Sequence, residues 1–284
     1  MDFTKIHGAG NDFILIEPDK RRNWSKLAVA ICDRHFGIGG DGLLLVMPSK
    51  RADVTMRIFN ADGSEAEACG NGLRCVVKYA VENRLANPKA KEILIETIVG
   101  IRRAEIKTRS GKLTGVRIGM GKPFFAAEKI PVSLKGNASL LDIKTMLSYS
   151  VKVANSELRL YFVSMGNPHA VYFTGKPVKD FSLAEVGSLI EHHAMFPKRT
   201  NFEVARVLNR TEIEERTWER GVGETLACGT GIAAVAVAAR LLGYTDSQVA
   251  VKASGGTLNV GWDGMGEVML GGPVEIVFSG KWQD

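Results

Sequence analysis

Cysteine is scarce in this chain: four occur in 284 residues, at 32, 69, 75 and 228, with no close C-x-x-C pair. So few thiols, so far apart, exclude a disulfide scaffold and point to a reducing, cytoplasmic setting. Clustered charge is missing too. The formal net charge is +6, but the basic residues are scattered, and Arg21-Arg22 and Lys89-Ala90-Lys91 are the densest spots. Without a polybasic tract or a reader motif, no nucleic-acid partner is expected. The opening Met1-Asp2-Phe3-Thr4-Lys5-Ile6-His7-Gly8 has no basic segment followed by an apolar one, so no signal peptide is expected. The apolar stretch Ile232–Leu242 has eleven residues, well short of the ~20 that span a bilayer, so no membrane partner is expected. What remains is an ordinary globular composition, 45% hydrophobic and 24% charged, in a chain long enough for two domains.

Cofactor signatures are absent as well. Cys32-Asp33-Arg34-His35 has ligand spacing but no second pair nearby, which argues against zinc. Gly37-Ile38-Gly39-Gly40-Asp41-Gly42 matches G-x-G-x-x-G letter by letter. A helix is expected before it and a strand after it, the reverse of the order a dinucleotide site needs. No lysine adjoins either C-G-x-G turn to form a Schiff base. The expectation is no cofactor and no metal.

Strand-like runs dominate what is present. Alternation, β-branched residues and Gly/Pro/Asn punctuation predict Phe13–Glu17, Leu43–Met47, Val54–Phe59, Ile93–Ile98, Ile101–Lys107 and Val116–Met120 in the first half. The second half gives Leu158–Met165, Ala170–Phe173, Phe202–Val207, Ile213–Trp218, Gln248–Lys252, Leu258–Val260, Val268–Leu270 and Val274–Phe278. Four helices are predicted: Trp24–Arg34, Leu73–Asn83, Leu183–His192 and Ile232–Leu242. Ser182-x-x-Glu185 reads as a capping box for the third. Ile232–Leu242 is apolar on every face except at Arg240, as a buried helix must be. Leu73–Asn83 keeps one polar stripe at Arg74, Lys78 and Glu82 and is expected to be less enclosed.

The two cysteine stretches are copies. Cys69-Gly70-Asn71-Gly72 and Cys228-Gly229-Thr230-Gly231 lie 159 residues apart, and the same spacing pairs Arg57 with Arg216, Asn60 with Glu219 and Glu65 with Glu224. With a small slip it also sets Gly10-Asn11 against Gly166-Asn167. The predicted fold is α+β: two pseudo-symmetric halves from an internal duplication, each a curved, mostly antiparallel sheet wrapped around a central helix. The expected bounds are 1–121 and 122–273, with the last strand in 274–284 returning to the first half; Pro123, Pro131 and Gly136 interrupt the pattern between them.

Each motif has a plain reading and a chemical one. A single cysteine at a helix start is ordinarily a small buried hydrophobe. A helix start also offers unpaired N–H groups and partial positive charge, glycines leave room for an anion, and a thiol there ionises more readily. Packing does not ask for matched glycines after matched thiols, whereas proton exchange at a carbon stereocentre does. One thiolate removes a proton from one face, one thiol supplies a proton to the other, and the helix ends hold the adjacent carboxylate. Asn11 and Asn167, each after a glycine and before a strand, suit turn duty. Glu219-Arg220 could be a surface ion pair, yet beside a glycine-rich turn it suits an ammonium and a carboxylate. Cys75 and the scattered methionines read as packing.

Asn60-Ala61-Asp62-Gly63-Ser64-Glu65, Ala68-Cys69-Gly70-Asn71-Gly72, Met165-Gly166-Asn167-Pro168-His169-Ala170, Arg199-Thr200-Asn201 and Glu219-Arg220-Gly221 through Gly231 resemble the diaminopimelate epimerase family, from Phe3 to about Val277. The resemblance implies an active site in a cleft between the halves, and interconversion of LL- and meso-diaminopimelate in lysine and peptidoglycan precursor synthesis, without pyridoxal phosphate or metal. It implies Cys69 and Cys228 as the acid–base pair. Gly70, Asn71, Gly229 and Thr230 would hold the reacting carboxylate, Asn11, Asn60, Asn167, Asn201, Glu219 and Arg220 would contact substrate, and His169 would support the cysteines. The implied partner is a small molecule; a homodimer is left open. Some members carry Gln where this chain has Gly42, so a side-chain contact from that position is absent. Two other readings remain: a proline or hydroxyproline racemase, whose substrate leaves Glu219 and Arg220 without a clear partner, and a non-catalytic thiol redox or binding protein.

Overall fold

A computed structural model describes residues 1–66, 69–109, 112–133, 139–140, 146–153 and 156–283. In chain order the first half forms β1 (Asp2–Gly8), β2 (Asn11–Ile16), α1 (Trp24–Cys32), β3 (Gly42–Pro48), β4 (Val54–Asn60), β5 (Glu65–Ala66) and α2 (Gly70–Glu82). Then follow β6 (Glu92–Thr97), β7 (Gly100–Arg109) and β8 (Lys112–Gly119). The second half forms β9 (Ser139–Leu140), β10 (Leu147–Val153), β11 (Ser156–Ser164), β12 (Pro168–Phe173), α3 (Leu183–Glu191), β13 (Asn201–Asn209) and β14 (Glu212–Glu219). It continues with β15 (Gly223–Thr225), α4 (Gly229–Leu241), β16 (Gln248–Ala253), β17 (Gly256–Gly261), β18 (Met269–Gly271) and β19 (Glu275–Lys281). The chain divides into two compact units, Met1–Gly119 with Gly271–Asp284, and Met120–Leu270. Gly136, one of the interruptions between the expected halves, lies outside the described residues, as does Ala68 of the cysteine motif.

The duplication recurs as strand register. In the first unit β2 runs parallel to β3, with Phe13 opposite Gly42; in the second β12 runs parallel to β13, with His169 opposite Asn201. Antiparallel β3–β4 pairs Leu43 with Phe59, and β13–β14 pairs Phe202 with Trp218, each residue 159 positions on. Parallel β4–β6 and β14–β16 complete the match. One ion pair is repeated atom for atom. Arg57 Nε and Nη2 donate to Glu65 at 2.6 and 2.8 Å, and Arg216 Nε and Nη2 donate to Glu224 at 2.8 and 2.9 Å.

Helices explain why several strands read as continuous apolar runs. Leu43 and Leu45 of β3 pack with Trp24, Ala28 and Ile31 of α1, while Leu44 approaches Gly72 of α2. A strand covered on both faces has no solvent side on which to place polar residues. In the second unit, α4 packs against β11 to β14, β16 and β17, and every residue from Ile232 to Ala239 is buried. The opposite side of that sheet holds Leu160, Phe162, Phe202 and Val204 against Leu183 and Ile190 of α3.

Two local expectations are corrected. Ser182 is the N-cap of α3 but makes no side-chain capping bond, so the capping box does not form. The polar stripe on α2 is broken, because Arg74 is fully buried. Its Nη2 donates to Asn71 Oδ1 at 2.7 Å, while Lys78 and Glu82 form an outward i,i+4 ion pair at 2.6 Å. β1 and β10 lie outside the expected strand runs; β1 mixes Thr4, Lys5 and His7 into a largely buried strand, which weakens its apolar pattern.

Candidate active site

α2 and α4 begin one residue after their cysteines, so Cys69 and Cys228 are the N-caps of equivalent helices, both in extended backbone conformation. At Cys69 the Gly72 N–H donates to the sulfur at 3.4 Å, and the sulfur faces Asn11 Oδ1 at 3.7 Å. Asn71 Nδ2 donates to the same Asn11 oxygen at 3.2 Å, and Asn11 Nδ2 donates to Asp41 at 2.7 Å. Asn60, on the exposed end of β4, donates to Ser64 Oγ at 2.9 Å. Thus the structure gathers Asn11, Cys69, Gly70 and Asn71 at one helix start in the first unit.

The second unit repeats the arrangement with different polar groups. Cys228 Sγ lies 3.4 Å from Thr230 Oγ1, which accepts from Asn167 Nδ2 at 3.2 Å. Asn167 Oδ1 is 3.0 Å from His169 Nε2, and His169 Nδ1 is 2.6 Å from Glu203 Oε1. Glu219 Oε1 accepts from Thr225 at 2.6 Å. Asn201 is engaged at both ends, donating to the Pro168 carbonyl at 2.7 Å and accepting the Arg220 N–H at 2.9 Å. The Arg220 guanidinium is exposed and donates to the Lys198 carbonyl at 3.2 Å.

Cys228 does not ionise more readily for being at a helix start. Burial pushes its thiol well above the ordinary value, and the negative Glu219 pushes it further, while the Thr230 hydrogen bond opposes them. Desolvation outweighs the helix end here. The glycines also have a more local reason than anion access. A Cβ on Gly231 would lie 2.8 Å from Glu203 Oε1, and one on Gly72 would lie 3.2 Å from Leu44 Cδ2. At Gly42 a Cβ would lie 2.7 Å from the Phe59 carbonyl oxygen, so the backbone leaves no room for a larger side chain.

The model of the family described as diaminopimelate epimerase matches residues 3–126 and 161–277. A diaminopimelate epimerase of Acetivibrio thermocellus is 44% identical over 284 residues, covering 99% of this chain and 98% of its own. One of Caldanaerobacter subterraneus subsp. tengcongensis is 44% identical over 281 residues, covering 99% of each. The chain belongs to the diaminopimelate epimerase family. Among solved structures, a hydroxyproline epimerase of Agrobacterium vitis with bound trans-4-hydroxy-L-proline matches with a TM-score of 0.70 at 15% identity, covering 99% of this chain and 91% of its own. A Bacillus anthracis phenazine biosynthesis protein matches with a TM-score of 0.68 at 16% identity, covering 100% and 99%. Those likenesses are of fold alone, and they agree with the two-repeat, sheet-dominated α+β architecture.

Four further side chains near these motifs carry no signal in the apolar pattern or the matched motifs. Glu203 and Glu215 are fully buried acids on strands, where the first repeat has Leu44 and Met56. Comparing the two copies position by position would have found them. Glu191 accepts from Trp218 Nε1 at 2.8 Å and from the Gly221 N–H at 2.9 Å, bracing the turn that carries Glu219 and Arg220. Asp41, inside the glycine-rich segment Gly37–Gly42, fixes the Asn11 amide.

Proposed function

We propose that this chain interconverts LL- and meso-diaminopimelate, with Cys69 and Cys228 as the acid–base pair. The observation that carries this reading is the pair of thiols at the N-caps of duplicated helices, each followed by G-x-G. In either direction one sulfur, as thiolate, takes the α-proton. The electron pair left on carbon spreads into the adjacent carboxylate, and the other sulfur, as thiol, gives its proton to the opposite face. The two sulfurs end with exchanged protonation, and the product differs from the substrate only in configuration. N–H groups in Gly70-Asn71 and Gly229-Thr230 are donors for the charged carboxylate, since the first N–H groups of a helix have no partner within it.

Asn11, Asn60, Asn167, Asn201, Glu219 and Arg220 are assigned to substrate contact, with His169 supporting Cys228. A molecule with an ammonium and a carboxylate at each end calls for both Glu219 and Arg220. No bound cofactor takes part in these steps. The scarce cysteines favour a cytoplasmic location. Among the described residues no helix is long and apolar enough to cross a membrane. Exposed Val277 and Phe278 on β19 favour a homodimer.

The test is incubation of pure protein with LL-diaminopimelate, with L-proline in parallel, and chiral analysis of the products. Formation of the meso isomer without racemised proline is the expected result. Proline turnover without meso product would replace this reading with the racemase one.

A further inference from the structure

The second unit holds a buried acid that the proposed proton transfers do not use, and its repeat counterpart is Leu44. We propose that Glu203 is a positioning residue for Cys228: through His169 it sets the hydrogen-bond direction of Asn167 and Thr230, so that Thr230 turns its hydroxyl hydrogen toward the sulfur. This deepens the proposed function and rests on it.

The direction follows atom by atom. Asn167 Oδ1, 3.0 Å from His169 Nε2, can only accept, so Nε2 carries a hydrogen. Asn167 Nδ2 donates to Thr230 Oγ1, which leaves the threonine hydrogen for Cys228 Sγ at 3.4 Å. With Nε2 protonated, the 2.6 Å contact between His169 Nδ1 and Glu203 Oε1 needs one more proton. On either atom it makes the pair neutral as a whole, which suits two side chains with no exposure. Glu203 Oε2 is buried without a partner among the described residues. Leaving the carbonyl oxygen of a neutral acid bare is far less costly than leaving a carboxylate oxygen bare.

Removing that proton would turn the chain over. Glutamate would accept from Nδ1–H, Nε2 would accept from the Asn167 amide, and Thr230 would donate to Asn167 and accept from the thiol. The ionisable groups around Glu203 are His169 on β12, Glu215 and Glu219 on β14, and Cys228 at the start of α4. Only His169 among them can be positive. Burial raises the Glu203 carboxyl, His169 opposes this and Glu219 adds to it. Gly231 lets the carboxyl pack against the helix start, since a Cβ there would collide with Oε1 at 2.8 Å. The thiolate that remains when Cys228 has given up its proton then meets a donor.

The experiment pairs a spectrum with kinetics. Long-range nitrogen–proton correlation on 15N-labelled protein reads both ring nitrogens of His169, with His169→Asn assigning the signals. The expected wild-type result is a protonated Nε2 at neutral pH. Glu203→Leu should lower kcat by about 10- to 100-fold with little change in KM, on the scale of losing the partner that orients a metal-bound histidine. Glu203→Gln, whose amide can donate to Nδ1 and keep Nε2–H, should retain most of kcat. An unprotonated wild-type Nε2, wild-type kcat in Glu203→Leu, or a Gln variant as impaired as the Leu variant would each overturn the inference. If Glu203→Leu fails to fold, the spectrum and the Gln variant decide. A wild-type protein inactive on diaminopimelate would sink the proposed function, while the His169 spectrum would still judge the positioning.

Discussion

Glu215 offers a stability test that does not depend on catalysis. Its side chain is wholly inside the second unit, and its carboxyl is pushed up to about 8, first by burial and further by Glu203 and Glu219, against the Thr217 hydrogen bond. The folded protein therefore holds this proton more tightly than the unfolded chain, where the ordinary value is 4.5. Stability from this group is complete below that ordinary value and is lost as pH rises towards about 8. At about 1.4 kcal/mol per pH unit, going from pH 6 to pH 9 should cost the wild type about 2.5 kcal/mol from Glu215 alone. Glu215→Gln resembles the neutral acid and cannot ionise. Urea midpoints followed by tryptophan fluorescence, at constant m-value, should converge or cross as pH rises, with the variant the flatter of the two. Parallel curves across that range would refute the reasoning.

Cys69→Ala and Cys228→Ala should each abolish epimerisation with the circular dichroism spectrum intact, while Cys75→Ala, which alters a fully buried core thiol, should keep most activity. The duplicated ion pairs should differ in worth. Arg216 also donates to the Val178 and Phe181 carbonyls at 2.9 and 3.0 Å, so Arg216→Met should cost about 2–3 kcal/mol in urea unfolding. Arg57→Met, which lacks those two bonds, should cost no more than about 1 kcal/mol. Arg220→Met should lower kcat/KM for diaminopimelate by the equivalent of about 2–5 kcal/mol; unchanged kinetics would remove Arg220 from the substrate contacts.

The predicted strands and helices were legible where one face or both were apolar, as in Phe13–Ile16, Leu43–Val46 and Ile232–Leu242. The duplication was legible because Arg57, Glu65 and Cys69 recur at one spacing, and the repeated ion pair shows what that spacing preserves. Burial of polar side chains was not legible. Arg74 sits at a position that helical periodicity assigns to a polar stripe, and only tertiary packing places it inside. Glu203 alternates with apolar neighbours as solvent-facing residues do, and Glu215 stands between the charged Glu214 and Arg216, yet α4 covers their face of the sheet. The ionisation of Cys228 is illegible for the same reason: helix-end charge can be read from sequence, but the depth of burial opposing it cannot.

The central claim is that two different sulfurs handle the two faces of one carbon, and a single isotope experiment addresses it. LL-diaminopimelate is turned over in heavy water, the reaction is stopped after a small fraction has reacted, and the α-positions of product and remaining substrate are read by mass spectrometry. A sulfur that removes a proton differs from the one that delivers a solvent-derived hydrogen. Two separate sulfurs therefore give meso product carrying one α-deuterium while recovered LL substrate stays largely protiated. Meso product that retains the substrate's own α-proton would mean that one base serves both faces, and would contradict the account.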